Sequence, residues 1–285
     1  MKSNIQVIVN GKLNLSLSIT GIQDDGFHCI DTLMQSVNIY DDVYLEIRKD
    51  KKNTVHMKNV RIDSNNSAIR AANLFCDTFG TSGVDITIEK GIPLGGGMGG
   101  SSANAAATLM GMSQLYEIPF NECKPLASSL GSDTPFMFTG GLARATGTGQ
   151  VLEFFQHKNK LAFCVIFLGK PIQTEKVYKL FDANPDFTPA ETDTILDSIL
   201  KGDTETIRAN MFNALQQPAS EKYIQISRVI ESLNGISKFM LTGSGSSLFT
   251  ICDNESHCKD ITRRVKAMGF DARECFACEK GMEIM

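Results

Sequence analysis

The stretch Gly91–Met112, GIPLGGGMGGSSANAAATLMGM, constrains the fold more than any other part of this sequence. Gly95, Gly96, Gly97, Gly99 and Gly100 surround Met98, two serines follow, and an alanine-rich run comes next. Glycine at that density costs backbone entropy and packs no side chain, whereas a structural turn needs one or two. Such a segment is kept where something approaches the backbone closely. The run after it consists of strong helix formers and is apolar on nearly every side, which predicts a buried, rigid helix from about Ser101 to Tyr116. The first turn of that helix carries unpaired N–H groups and about half a positive charge. With a glycine loop in front and hydroxyls at Ser101 and Ser102, the arrangement suits a phosphate. Tight packing of the loop against a neighbouring strand is the competing explanation.

Three named glycine loops can be tested against the context. Gly95-x-Gly97-x-x-Gly100 has the spacing of the dinucleotide fingerprint, but Gly91, Ile92, Pro93 and Leu94 separate it from the preceding strand, where the fingerprint follows directly. A Walker loop needs Ser or Thr after Gly-Lys, and Gly11-Lys12 and Gly169-Lys170 are followed by Leu13 and Pro171. The HRD and DFG signatures of protein kinases are missing from the sequence. An anion site outside these three classes remains.

The order of elements around the loop indicates an α+β fold rather than a strict β-α-β alternation. Residues 4–10 and 12–21 alternate like two strands, 41–49 like a third, and Val84–Lys90 like a fourth. Ser67 is the N-cap candidate of a helix with apolar residues at Ile69, Ala72 and Phe75, stopped by Gly80. A shorter helix is expected over Asn121–Leu130, and residues 135–155 read as strands joined by glycine turns. Beyond the polar segment Gln156–Lys160, Leu161–Gly169 reads as a buried strand. Helical periodicity follows in TDTILDSILKGD, TETIRANMFNAL and EKYIQISRVIESLNG. Strands at residues 237–243 and 246–253, a helix over 255–269 and a strand near 271–278 complete the pattern. That polar segment divides an expected N-terminal nucleotide-binding and catalytic domain, 1–157, from a C-terminal substrate-side domain, 158–285.

Composition narrows the function classes. The 285 residues are 42% hydrophobic and 21% charged with a net charge of −4, ordinary for a soluble globular chain with a sizeable core. Lys and Arg form no dense run, so neither nucleic acid nor a membrane surface is an expected partner. No apolar run reaches the ~18 residues of a membrane span, and a cytoplasmic location is expected. Of the eight cysteines, Cys29, Cys76, Cys123 and Cys164 sit singly in apolar stretches and read as reduced core residues. Cys275 and Cys278 form half of a zinc motif, but Cys252 and Cys258 are spaced wrongly for the other half, so no bound metal is expected.

The segment from Pro93 through Asn104 to Ala106 closely resembles the phosphate loop of the galactokinase, homoserine kinase, mevalonate kinase and phosphomevalonate kinase superfamily. GKLNLSL near the N-terminus and LTGSGSSLF, Leu241–Phe249, are similar to two further superfamily motifs and fall in the same order. The likeness is greatest to the 4-diphosphocytidyl-2-C-methyl-D-erythritol kinase family, through KLNLSLSITGIQDDGFHCIDTLMQSV and SLGSDTPFMFTGGLARATGTGQVLE. It covers nearly the whole chain. It implies a two-domain small-molecule kinase fold with mixed and antiparallel sheets, using ATP and Mg²⁺ on a cytidine diphosphate derivative, as a monomer or weak homodimer.

Carried over by residue, the resemblance makes Lys12 and Asp133 a catalytic pair. An aspartate can accept the proton of the attacking hydroxyl, and a lysine beside it can offset charge. It places Asn14, Phe27, His28, Thr174 and Tyr178 on the cytidine substrate, with Phe27 and Tyr178 able to sandwich the ring and His28 able to bond its edge. Asn66, Lys90, Pro93 and Asn104 fall on the nucleotide side, with Gly95, Gly96, Gly97, Gly99, Gly100, Ser101 and Ser102 around the phosphates. Phe27 replaces the tyrosine usual in the family, which keeps a stacking face and removes a hydroxyl. The glycine turn Gly243–Gly245 is either a substrate-positioning element or a tight hairpin.

Overall fold

The computed structural model describes residues 3–60 and 65–285. Two long strands, β1 (Asn4–Ile22) and β2 (His28–Ile47), pair antiparallel along their whole length and form the spine of an eight-stranded sheet. Gly11 does not break β1 as its sequence suggests. A register irregularity at Asn10/Gly11 absorbs the bend, and the strand continues. β3 (Thr54–Met57) and β4 (Val84–Glu89) extend the sheet from the far half of β2. α1 (Ser67–Phe79) lies between them in sequence and is capped by Asn66, whose Oδ1 accepts the N–H groups of Ala68 at 2.9 Å and Ile69 at 3.4 Å. Ser67 is therefore the first helical residue and not the cap.

α2 (Gly100–Leu115) runs through the middle of the molecule with Ala103, Ala105, Ala106, Ala107, Leu109 and Met112 all buried. Its small side chains let it approach the sheet and α1 closely. A Cβ on Gly111 would come within 2.6 Å of Leu45. Two short helices follow, α3 (Phe120–Cys123) and α4 (Ala127–Leu130), linked by a 3₁₀ turn at Lys124–Leu126. Residues expected to be strand next form α5 (Thr134–Thr139) instead. Pro135 in the first turn pre-sets φ for a helix, and Gly140 at φ 68° ends it. β5 (Leu142–Thr146) then joins the near half of β2, and β6 (Val151–Phe155) pairs with β5.

The second sheet is built around β7 (Ala162–Phe167). α6 (Thr174–Ala183), α7 (Thr192–Lys201) and α8 (Thr204–Asn210) follow it. α8 stops before its apolar periodicity does, because Phe212–Asn213 leave as β8 to pair with Ser16–Leu17 of β1. The apolar run over 221–235 is split at Tyr223 into α9 (Gln216–Lys222) and α10 (Ile224–Ser232). β9 (Met240–Leu241), β10 (Leu248–Cys252), α11 (Glu255–Ala267) and β11 (Asp271–Phe276) complete the four-stranded sheet β11-β7-β10-β9 and its helix. β12 (Met282–Ile284) returns to the first sheet beside β1.

The buried side chains form two clusters, and both draw on both halves of the chain. Phe163 and Phe249 belong to the core under α2, while Leu17 and Ile19 of β1 belong to the core of the second sheet. Cys123, Cys164, Cys252, Cys258 and Cys275 are buried free thiols, whereas Cys29 and Cys76 are only half-buried and so are not core residues. Among the described residues no helix is long and apolar enough to cross a membrane.

Candidate active site

Lys12 and Asn14 sit two residues apart on β1, so both point to the face opposite Leu13 and Leu15. They face a cavity of about 1320 Å³. Lys12 Nζ donates to Asn14 Oδ1 at 2.5 Å and lies 3.3 Å from Asp133 Oδ2. Asn14 in turn donates through Nδ2 to Thr32 Oγ1 at 2.8 Å, and its backbone N–H donates to Thr242 Oγ1 at 3.1 Å. The Lys12 side chain is 5% exposed and that of Asp133 29%, so Lys12 is held from behind while Asp133 opens to the cavity. Asp133 precedes α5 but makes no capping bond with its side chain, which leaves the carboxylate committed to Lys12.

The glycine loop borders the same cavity, and its glycines are also closely packed from the other side. Their missing side chains are replaced by protein. A Cβ on Gly97 (φ 76°) would lie 2.0 Å from the Thr242 carbonyl, and one on Gly99 (φ 76°) 2.2 Å from the Met137 methyl. One on Gly95 (φ 58°) would lie 2.4 Å from Pro171. Backbone bonds weld the loop in place: Gly95 O accepts from Ile172 and Ser246 at 3.2 Å, Gly96 O from Ser247 at 3.1 Å, and Met98 O from Lys12 at 3.0 Å. Close packing thus accounts for Gly95, Gly97 and Gly99, which also line the cavity beside the first turn of α2. Gly99 precedes that turn in the left-handed conformation and supplies no side-chain cap, so the leading N–H groups face the cavity beside Ser101 and Ser102.

Beneath this turn lies Asp41 of β2, wholly buried. Its Oδ1 accepts the N–H groups of Gly91 and Ile92, both at 2.9 Å, and its Oδ2 accepts Asn104 Nδ2 at 2.7 Å. Lys90 Nζ forms a salt bridge to the same Oδ2 and donates to Asn104 Oδ1 at 3.3 Å. Lys90 is brought against the start of α2, where a Cβ on Gly100 would be 3.3 Å from its ammonium.

The opposite end is formed by the turn between β1 and β2 and by α6. His28 Nε2 is 2.6 Å from Asp182 Oδ1, and its ring centroid is 4.6 Å from that of Tyr178. Burial and the Asp133 carboxylate push the Tyr178 phenol above its ordinary value, so it stays protonated at neutral pH. Phe27 at the turn is 65% exposed. Thr174 Oγ1 is 2.9 Å from Ser244 Oγ, which joins α6 to the second glycine turn. That turn also touches the loop, since a Cβ on Gly243 would lie 2.9 Å from Gly97 O and 3.5 Å from Lys12 Nζ.

All the residues singled out from the sequence, from Lys12 and Asn66 to Tyr178, line this one cavity. Sequence reasoning missed Asp41, Arg70 and Asp182. Arg70 lies one helical turn after Asn66, and Asp182 one turn after Tyr178, so helical spacing alone would have placed both beside known candidates. Asp41 carried no such signal, because its acidic neighbour Asp42 makes it read as a solvated strand residue.

Comparison with known proteins agrees with this geometry. The GHMP kinases N terminal domain matches residues 66–141 and the GHMP kinases C terminal domain residues 195–271. A 4-diphosphocytidyl-2-C-methyl-D-erythritol kinase of Desulfitobacterium hafniense is 32% identical, over 92% of this chain and 91% of its own. The crystal structure of a 4-(cytidine 5'-diphospho)-2C-methyl-D-erythritol kinase superposes with a TM-score of 0.77 at 27% identity, covering 95% of this chain and 98% of the other. A homoserine kinase from Cytophaga hutchinsonii superposes nearly as well, with a TM-score of 0.76 over 100% of this chain and 98% of its own, but at 17% identity. The fold is thus common to kinases of different acceptors, and sequence distinguishes among them.

Proposed function

The chain belongs to the GHMP kinases and, within them, to the 4-diphosphocytidyl-2-C-methyl-D-erythritol kinases, and from that premise we propose that it transfers the γ-phosphoryl group of ATP to the 2-hydroxyl of 4-diphosphocytidyl-2-C-methyl-D-erythritol in non-mevalonate isoprenoid biosynthesis. The observation that carries the reading is the Lys12–Asp133 contact at 3.3 Å in the cavity that also holds the first turn of α2. Phosphoryl transfer asks for positioning and charge stabilisation more than covalent help. Asp133 accepts the proton of the 2-hydroxyl as its oxygen bonds to the γ-phosphorus and the bond to ADP breaks. Lys12 offsets the charge gathering on the acceptor oxygen. The N–H groups of α2, with Ser101 and Ser102, hold the phosphates, and Lys90, Asn66 and Asn104 stand on the nucleotide side. His28, Tyr178, Phe27, Asn14 and Thr174 take the cytidine diphosphate end.

Mg²⁺ brought with ATP would supply charge neutralisation at the phosphates. Among the described residues no cluster of three or more His, Cys, Asp or Glu side chains is arranged to hold a metal. An ion bound chiefly by phosphates and one or two protein oxygens needs none, and the Ser101 and Ser102 hydroxyls are donors of the right hardness that would hold it. In this reading residues 1–157 supply the nucleotide and catalytic groups together with Asn14, Phe27 and His28, and 158–285 add Thr174 and Tyr178 on the substrate side, in a cytoplasmic enzyme that is a monomer or weak homodimer. The test is ADP release with 4-diphosphocytidyl-2-C-methyl-D-erythritol, homoserine and mevalonate offered separately. Turnover of the cytidine substrate alone is expected; turnover of either of the others in its place would overturn the assignment.

A further inference from the structure

Asp41 touches none of the cavity surface, yet it contacts the end of β4, the entry to the glycine loop and α2. One carboxylate oxygen takes the backbone of Gly91 and Ile92, where the chain leaves β4 for the glycine loop. The other takes Lys90 and Asn104, the latter from the second turn of α2. Asp41, Lys90 and Asn104 close a ring, since Lys90 also donates to Asn104 Oδ1 at 3.3 Å. An ammonium has three N–H donors. Two of those on Lys90 are accounted for by this ring, and Lys90 itself lines the cavity beside Gly100. The ring therefore aims the third donor at the site where α2 presents its N–H groups.

We infer that Asp41 is a positioning residue for the nucleotide: it sets the place of the Lys90 ammonium and the path of the chain into the glycine loop, and it acts through them without meeting ATP. A buried carboxylate kept only for stability would be a poor choice, because well-packed apolar residues of similar volume commonly stabilise as well or better. Two of its four partners, Lys90 and Asn104, line the cavity, and the other two, Gly91 and Ile92, carry the chain from β4 into the glycine loop. The inference rests on the reading of that part of the cavity as the ATP phosphate site.

Asp41→Asn separates the two possibilities. An amide oxygen still accepts from Gly91 and Ile92, but its NH₂ group then faces the donors of Lys90 and Asn104. The experiment measures binding of a non-hydrolysable ATP analogue by calorimetry, with KM for ATP and for the cytidine substrate, in wild type, Asp41→Asn, Lys90→Met and the double variant. Loss of a hydrogen bond to a charged group predicts analogue binding weakened about 10-fold or more in each single variant. The double variant is expected to bind no more weakly than the worse single variant, and KM for the cytidine substrate to stay within about twofold, because coupled residues are not additive. Asp41→Asn that binds the analogue within about twofold of wild type, or losses that multiply in the double variant, overturn the inference.

If Asp41→Asn does not fold, Asp41→Glu keeps the charge and displaces the carboxylate by one methylene. Weakened analogue binding by the folded Glu variant supports positioning; wild-type binding reduces Asp41 to a counter-charge and overturns it. Failure of the wild type to bind the analogue would remove the phosphate-site reading itself and this inference with it, an outcome distinct from a variant that binds normally.

Discussion

At the phosphate end of the cavity Gly95, Gly97 and Gly99 each leave space that a neighbouring segment already fills, whereas at the base end Phe27 stands 65% exposed and His28 is held by Asp182 and the ring of Tyr178. The first end is over-determined. Its backbone is tied to residues 12, 172, 246 and 247, and its one buried acid is fully engaged. The second end consists of a turn and a helix that meet through side chains. A phosphate cradle gains from donors fixed before the ligand arrives, since no reorganisation is then needed as charge develops. Recognition of a flat base needs only faces and an edge, which side chains at a surface can supply. Lys12 and Asp133 lie at the seam between these two regimes.

The largest effect is expected at that seam. Asp133→Asn should lower kcat by about 10²–10⁴-fold, the usual worth of a positioned general base, with ATP-analogue binding changed by no more than a few-fold. Undiminished turnover in stopped assays of ADP formation would remove Asp133 from the base role. Next comes the rigid end: Gly97→Ala forces a Cβ to within 2.0 Å of the Thr242 carbonyl at a positive φ. A strained backbone position of that kind costs about 1–3 kcal/mol, seen as a lower urea midpoint, and ATP affinity should fall with it. A Gly97→Ala protein as stable as wild type would show that the loop is far more yielding than its packing indicates.

At the open end Tyr178→Ala should raise KM for the cytidine substrate by about 10–100-fold, the worth of one base–aromatic stack, leaving KM for ATP unchanged. An equal rise in both constants would mean that the two ends are not independent. The smallest expected effect is Phe27→Tyr. At so exposed a position stability should move by less than about 0.5 kcal/mol in thermal melts, with any change confined to KM for the cytidine substrate.

The same contrast decides what could be read from the residues alone. β4, the glycine loop and α2 are contiguous, and their local patterns agree with the fold, so this stretch is legible as strand, loop and buried helix within a few residues of its true bounds. Which segments pack against its glycines was not legible, because Pro171, Thr242 and Met137 come from distant parts of the sequence. Asp41 stayed hidden for the same reason: nothing local distinguishes it from Asp42, and only the fold puts Lys90 and Asn104 beside it. α5 was mistaken for a strand because an apolar run of six residues has no decisive period, and Pro135 carried the helix signal instead. β8 was absorbed into a helix because two residues pairing with Ser16–Leu17 leave no periodic trace.

The welding of the glycine loop to residues 242–247 has a consequence for how the protein comes into being. A nascent chain that has just released the loop lacks the carbonyl of Thr242 against which Gly97 rests, and it lacks the N–H groups of Ser246 and Ser247 that bind Gly95 and Gly96. More than a hundred residues must still be translated before they arrive. In large chains domains fold as units during synthesis, but here the nucleotide pocket draws on both ends of the message. With the nucleotide site as proposed, nucleotide affinity marks a finished molecule, and a ribosome-bound fragment carrying the whole signature segment would hold its recognition sequence without the cradle.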